Sequence, residues 1–460
     1  MEFALLAIGA FTVPYVVIAL PRWRMSFLGL LVFIPFAGMI ALWLSPFDWV
    51  KLAKDILFVI PAYLGYLMFR AGDREPAGIG IGMLVTIVLF AALVVIQSAN
   101  PSISSILVAA VGIKVWLMYV PLLFLAASYI RTEGELYRLM RILLVVALIP
   151  CGVGLLQRGL AETIGIGPTM RLFYGDAGSG ATQGFQTFDY GGTLYRIPST
   201  FTFVTQYAYF TLAMLVPAYT LAVSDRDPRW RLVARIGLVV ILVAGMVSGS
   251  RGNILLAPLI LGLAVVLDGR LSTALAVAVF LPVAAVGGLI AAGIDPLRLL
   301  LGATELAERY SQGHMVTGLV DAIERYPFGL GTGMGSLVSR HVAAGVRLAV
   351  YENLWAKTVA ELGVAGLILF MLMLLTLLAH GFGALQRTAP GLRSAGAALF
   401  ACLAVFVATS GKGYALEIDP MNVYFWVYSG FLLKLPLLRP QPVYRPAAAI
   451  TPGARAYAYR

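Results

Sequence analysis

The chain has 460 residues, 60% of them hydrophobic and only 12% charged, whereas an average soluble domain is about 45–50% apolar and about 25% charged. So much apolar surface excludes a soluble globular fold and points to a polytopic membrane protein. The formal charge of +11, from 33 Lys+Arg against 22 Asp+Glu, would suggest nucleic acid in a soluble protein. Here the basic residues fall in short segments between apolar runs, where the positive-inside rule accounts for most of the excess.

Apolar runs of span-like length recur along the chain. They fall near 3–20, 26–44, 55–69, 79–97, 105–130, 142–157, 203–223, 236–248, 252–267, 271–292, 358–379, 394–409 and 420–437. This predicts an all-α polytopic transmembrane helix bundle of about 12–13 spans. The runs at 55–69, 236–248 and 252–267 are short, which suits tilted, broken or re-entrant helices. The first run begins with Glu2 and leads into Pro21-Arg22-Trp23-Arg24 with no small-residue cleavage site, so it reads as a span and not a cleaved leader.

With the N-terminus outside, the cytoplasmic loops carry Arg22, Arg24, Arg70, Arg74, Arg131, Arg138, Arg141, Arg226, Arg229, Arg231, Arg235, Arg270, Arg387 and Arg393. The tail adds Lys434, Arg439, Arg445, Arg455 and Arg460. The short outer loops hold only Lys51, Lys54, Arg251 and Lys412, an asymmetry that sets the orientation. Two outer loops are long. One, 158–202, is rich in Gly and Thr. The other, 293–357, has helical spacing over 304–309 and 315–325. The chain thus divides into N-terminal spans with the first long loop (1–202), central spans (203–292), a large, partly helical periplasmic loop (293–357), C-terminal spans (358–438) and a Pro/Ala-rich basic tail (439–460), close to the anionic inner leaflet.

Two cysteines, Cys151 and Cys402, sit far apart in apolar runs and exclude a disulfide framework. Three histidines leave little room for a His-ligated metal. No Walker motif, Cys/His metal spacing or paired DxD-like carboxylates appear, so the expected site uses arginine to meet anions, with no metal and no cofactor. The acidic residues cluster in loops and none falls at a span centre, unlike a proton- or sodium-coupled transporter.

Charge placed at the outer membrane edge marks the candidates. Ser248-Gly249-Ser250-Arg251-Gly252 interrupts two apolar runs. Its small residues expose backbone N–H groups, and Arg251 adds a planar fork suited to phosphate. Arg196, in Tyr195-Arg196-Ile197-Pro198-Ser199-Thr200-Phe201, lies where the first long loop meets the seventh span. Gln206, one turn further, offers hydrogen bonds to a sugar or phosphate. Lys114 lies about 12 Å deep if its span starts at Ile106, and only at the interface if 101–110 is re-entrant. In the large loop Arg309, Arg347 and Asn353 are further binding candidates. Glu352, His314 and His341 are candidate bases. Glu361, one turn into the eleventh span, either orients a cation or caps its helix.

Three segments resemble the O-antigen polymerase/ligase superfamily, the Wzy-type integral membrane glycosyltransferases. Arg196-Ile197-Pro198-Ser199-Thr200-Phe201 is similar to the family's Arg-x-x-Gly/Ser-Thr-Phe stretch. Ser248-Gly249-Ser250-Arg251-Gly252 resembles its Ser-x-Ser-Arg-Gly segment. The third runs from Arg309 through Tyr326-Pro327-Phe328-Gly329-Leu330-Gly331-Thr332-Gly333 to Glu352-Asn353-Leu354 and Glu361-Leu362-Gly363-Val364-Ala365-Gly366. It is similar to a glycine-rich region followed by His-Asn and Glu-x-Gly-x-x-Gly. Glu352 stands where the family's ligases carry histidine, which weakens the ligase reading and leaves room for a polymerase or for a branch with Glu352, His314 or His341 as the base.

The resemblance implies a GT-C-like bundle in the bacterial inner membrane with its active site facing the periplasm. The implied substrate is an undecaprenyl-diphosphate-linked oligosaccharide, extended by transfer to an acceptor sugar hydroxyl as in O-antigen or exopolysaccharide biosynthesis. Its partners would be the lipid bilayer and, in addition, a chain-length regulator or other polysaccharide assembly protein, with no nucleic acid. An O-antigen ligase acting on lipid A core is the alternative within the class. A transporter or flippase of the same lipid-linked glycan is the alternative outside it.

Overall fold

A computed structural model of the chain describes residues 14–45, 50, 52–69, 78–103, 105–182, 187–189, 193–270, 316–336, 339 and 348–439. Among these, eight helices are long and apolar enough to cross a membrane: Pro14–Trp43, Ile81–Ser98, Ile106–Tyr129, Glu133–Ile164, Val204–Ser224, Pro228–Val247, Leu354–Arg387 and Pro390–Ala408. Two more apolar helices, Asp55–Phe69 and Gly252–Leu267, are shorter. The chain is a helical, multi-pass membrane protein.

In chain order the elements are α1 (Trp23–Trp43), α2 (Asp55–Phe69), α3 (Ile81–Ser98), α4 (Ile106–Leu117), α5 (Leu122–Tyr129), α6 (Glu133–Ile164) and α7 (Ile166–Thr182). A hairpin of β1 (Thr187–Asp189) and β2 (Thr193–Tyr195) follows, antiparallel with Phe188 opposite Leu194. Then come α8 (Val204–Ser224), α9 (Pro228–Val247), α10 (Arg251–Leu267), α11 (Val316–Arg325), α12 (Leu354–Arg387), α13 (Arg393–Ala408) and α14 (Met421–Lys434).

Four sequence expectations change. The five residues expected to separate the first two spans, 21–25, are helical: Leu20–Arg22 forms a 3-10 turn leading into α1, so 14–43 is one helical stretch. Pro21 suits such a first turn, where its missing N–H is not needed. The expected first long loop is largely helix. The Arg158–Glu162 pair, four residues apart at 2.6 Å, supports α6 to Ile164, and Gly165 with φ +87° ends it. The run at 105–130 is one membrane-crossing stretch, Ile106–Tyr129, but its helix is interrupted at 118–121, ahead of α5. The run at 236–248 belongs to a 20-residue helix that is long enough to cross. The expected run at 271–292 lies outside the described residues, as do 1–13 and most of the large loop and tail.

Burial sorts the helices. In α8, 83% of the most apolar window is buried, against 28% for α3 and for α9. Every residue of α14 is buried. So α8 and α14 form the centre, with α13 beside them. α8 packs on α6, α9, α10 and α13, while α14 packs on α5 and α12. Peripheral α3 and α9 turn Val85, Val88, Ile96, Ile236 and Val239 outward, as lipid-facing helices do.

The bundle has two unlike ends. At one, Arg24 meets Glu135, Arg141 meets Asp225, Arg226 meets Glu133 and Arg270 meets Asp268. Arg439 returns there to bridge Thr132. This is the basic end, and it gathers most of the described arginines. The other end holds the candidate site.

Candidate functional site

The segment between β2 and α8 is pinned from three sides. Ser199, buried with φ +55°, donates its N–H to Gln157 Oε1 at 2.9 Å and its Oγ to Pro150 O at 2.6 Å. Both acceptors are on α6. Thr200 bridges the turn of α1 after Pro35: its Oγ1 donates to Pro35 O, and its carbonyl accepts from Met39 N at 2.7 Å. A side chain at Gly38 would meet Phe201 Cα at 2.6 Å, so only glycine lets the backbones come this close.

This anchoring presents Arg196, half-buried, to the turn between α9 and α10. Ile197 N donates to Ser248 O at 3.1 Å. Gly249, at φ +72°, lies against the Tyr195 carbonyl, 2.9 Å from where a Cβ would stand. Arg251 is the first residue of α10, whose N-cap is Ser250. Two segments 55 residues apart by their arginines, 196 and 251, thus adjoin at one helix N-terminus, where backbone N–H groups favour anions. Arg158, which sequence reasoning missed, joins them. Its Nη1 donates to Tyr195 O at 2.8 Å, and its guanidinium lies 5.9 Å from the Tyr195 ring. The expected helix end at 157 hid it.

Gln206 is placed otherwise. Its Oε1 accepts from Thr202 Oγ1 at 2.7 Å and from Thr202 N and Phe203 N, both at 3.1 Å. That occupies its acceptor in capping α8. Asn353 likewise caps α12, accepting from Trp355 N at 2.8 Å and Ala356 N at 3.1 Å. Glu352 beside it is exposed. Arg309, His314, His341 and Arg347 lie outside the described residues.

The glycine-rich stretch is a strap laid across α3, α4 and α12. Gly363, at φ +74°, breaks α12. The break frees helix carbonyls, and the strap uses them: Leu330 N donates to Ala360 O at 2.8 Å and Gly331 N to Glu361 O at 3.0 Å, while Val364 N donates back to Pro327 O at 2.9 Å. Thr332 Oγ1 reaches Val94 O at 2.7 Å, and Gln97 Nε2 reaches Phe328 O at 2.7 Å. The Glu361 carboxylate, fully buried, closes the junction. It accepts from Trp116 Nε1 at 2.7 Å, Gly333 N at 2.8 Å and Gly335 N at 3.0 Å. Its position about 10 Å along α12 makes it a clamp on the strap and not a cap for the helix end.

Lys114 is not directed at lipid. Its Nζ lies 2.6 Å from Asp55 Oδ2. Asp55 also accepts from Tyr119 OH at 2.7 Å and from Lys54 at 2.9 Å, and Lys54 reaches Asp419 at 3.3 Å. Burial alone would lower the Lys54 ammonium, but Asp419 and Asp55 outweigh it and hold it above its ordinary value. A second buried network joins Lys357 to Glu361 and Glu417. The partners lie up to several hundred residues apart, so no spacing rule could reveal either group. Among the described residues no group of three or more His, Cys, Asp or Glu side chains could hold a metal ion.

Neither a family model nor a curated protein matches the chain.

Proposed function

We propose that the protein is a membrane glycosyltransferase that takes a glycan from a polyprenyl diphosphate lipid and passes it to an acceptor sugar hydroxyl, extending a polysaccharide by repeat units. In this reading the basic end faces the cytoplasm and the opposite end, with Arg196 and Arg251, faces the periplasm of a bacterial inner membrane. One observation carries it: the Arg196 segment and the Ser248–Gly252 segment, each singled out by its chemistry, adjoin through Ile197 and Ser248.

The leaving group already is a good one. Attack by the acceptor oxygen on the anomeric carbon forms the new glycosidic bond while the bond from that carbon to the diphosphate oxygen breaks, with inversion. The electron pair leaves with the lipid diphosphate. Guanidinium groups and the N–H groups at the start of α10 stabilise the charge that develops there. The acceptor's proton passes to a carboxylate, for which the exposed Glu352 is the assigned base. Arg158, held between Tyr195 O and Glu162, positions Tyr195, the end of β2 and the residue directly ahead of Arg196.

The test is transfer by purified protein supplied with a polyprenyl-diphosphate oligosaccharide, with and without chelator. Products lengthened by whole repeat units are expected in both. Transfer only to a lipid A core acceptor would make the protein a ligase. Movement of the lipid across vesicles with no product would make it a transporter. Arg196→Ala is expected to reduce transfer about 100-fold or more, the usual loss when one preorganised donor to a developing anion is removed, with its melting temperature retained.

A further inference from the structure

The most buried charge in the described residues lies where α12 meets the 409–420 connection. The Lys357 ammonium, fully enclosed, pairs with Glu417 Oε1 and stands 3.6 Å from Glu361 Oε1. The Trp116 ring lies 4.8 Å from it and the Tyr414 ring 6.0 Å. With all three groups ionised the site carries one positive and two negative charges. An uncompensated charge in a dry site is heavily penalised. The neighbouring network, Lys54 and Lys114 with Asp55 and Asp419, balances two charges against two and spares no cation.

Hydrogen bonding tells the two carboxylates apart. A carboxylate offers about four lone-pair sites. Those of Glu361 meet Trp116 Nε1, Gly333 N, Gly335 N and Lys357, so a proton added there would point at a donor. Glu417 has Lys357 on one side and on the other borders a cavity of about 20 Å³, lined by Phe90, Trp116, Leu354, Phe370 and Trp426 among others. A second count agrees. Asn422 is 5% exposed, donates its Nδ2 to Glu417 O at 3.2 Å, and keeps its Oδ1 buried with no donor among the described groups. The triad is one proton short in charge, and the turn beside it leaves two buried acceptors, Asp419 Oδ1 and Asn422 Oδ1, without a donor among the described groups.

We propose that Glu417 binds a proton and retains it at neutral pH, so that the Lys357–Glu361–Glu417 triad is a proton site fastening the 409–420 connection to α12. The bound species is a proton and not a metal cation, because the Lys357 ammonium already occupies the place between the carboxylates. Protonation leaves a neutral Lys357–Glu361 pair and a neutral acid. Burial raises the Glu417 carboxyl, Lys357 lowers it and Glu361 raises it, and the balance is upward. A carboxyl raised in the folded state contributes stability that is fully present below its ordinary value and is lost as pH rises through the raised one. The inference does not rest on the transfer reading.

The experiment is an infrared pH titration of the full chain in nanodiscs, wild type against Glu417→Gln, in sodium and in choline buffer. A protonated-carboxyl band is expected at neutral pH in both buffers. It should fade as pH rises and be missing from Glu417→Gln, whose melting temperature should lose the fall at alkaline pH seen in wild type. A band that survives in Glu417→Gln, or appears only without sodium, overturns the proposal. If Glu417→Gln does not fold, wild-type protein treated with a carbodiimide, which modifies protonated carboxyls in apolar sites, decides. Modification at Glu417 that declines with pH supports the site. Modification at Glu361 instead, or at neither, overturns it.

Discussion

The two ends of the bundle treat charge in opposite ways. At the basic end each arginine of a described pair keeps part of its side chain open to solvent, 55% for Arg226 and 35% for Arg24, while the acids Glu133, Asp225 and Asp268 are largely covered. At the opposite end, besides the arginines of the anion corner, two lysines are enclosed and shared between acids. Lys54 lies between Asp55 and Asp419, and Lys357 between Glu361 and Glu417. Exposed pairs in high dielectric contribute little and serve orientation. Enclosed pairs are expensive to assemble and expensive to break, so their presence marks a place where the fold maintains charge in an apolar medium for a purpose.

The contrast is broken most severely at Lys357. Lys357→Met strands the Glu361 carboxylate in a dry site and should destabilise the protein by about 3–5 kcal/mol, the range for removing one partner of a buried pair. The check is thermal melting of the purified protein, and a melting temperature equal to wild type would show the network to be incidental. Next comes the strap. Gly363→Ala places a Cβ at φ +74°, 2.7 Å from Pro327 O, and should cost about 1–3 kcal/mol. It should also raise protease cleavage within 327–336, whereas Gly152→Ala, at a helical site with open space, should be neutral by the same assay. The smallest effect belongs to the basic end. Arg226→Ala should change the melting temperature by the equivalent of under about 1 kcal/mol, its consequence appearing instead as altered topology in a cysteine-accessibility map. An effect as large as that of Lys357→Met would erase the distinction between the ends.

Much of this was legible in the sequence. Long apolar runs with no water to satisfy their backbone had to become helices, and loop arginine forecast which ends would gather together. Asn353 before Leu354 carried a legible signal as well: an Asn directly ahead of an apolar run is an N-cap signature, which competes with the reading of it as a ligand. Gln206 is the same case at the third helical position. The segment 158–182 was not legible, because its Gly and Thr content reads as loop while an Arg158–Glu162 pair and contacts of α7 with α1 and α6 stabilise helix.

The amino-acid sequence alone determined that this chain crosses a membrane many times and which segments are candidates to meet an anion, since hydropathy and basic-residue placement are local and additive along the chain. Tertiary structure alone decided that Arg158, Arg196 and the start of α10 share one corner, that Glu361 clamps a glycine strap 26 to 28 residues away, and that Lys357 sits between two acids. Those facts depend on which helices pack together. Pairing between groups distant in sequence is set by the burial of whole faces and leaves no periodic trace in the chain.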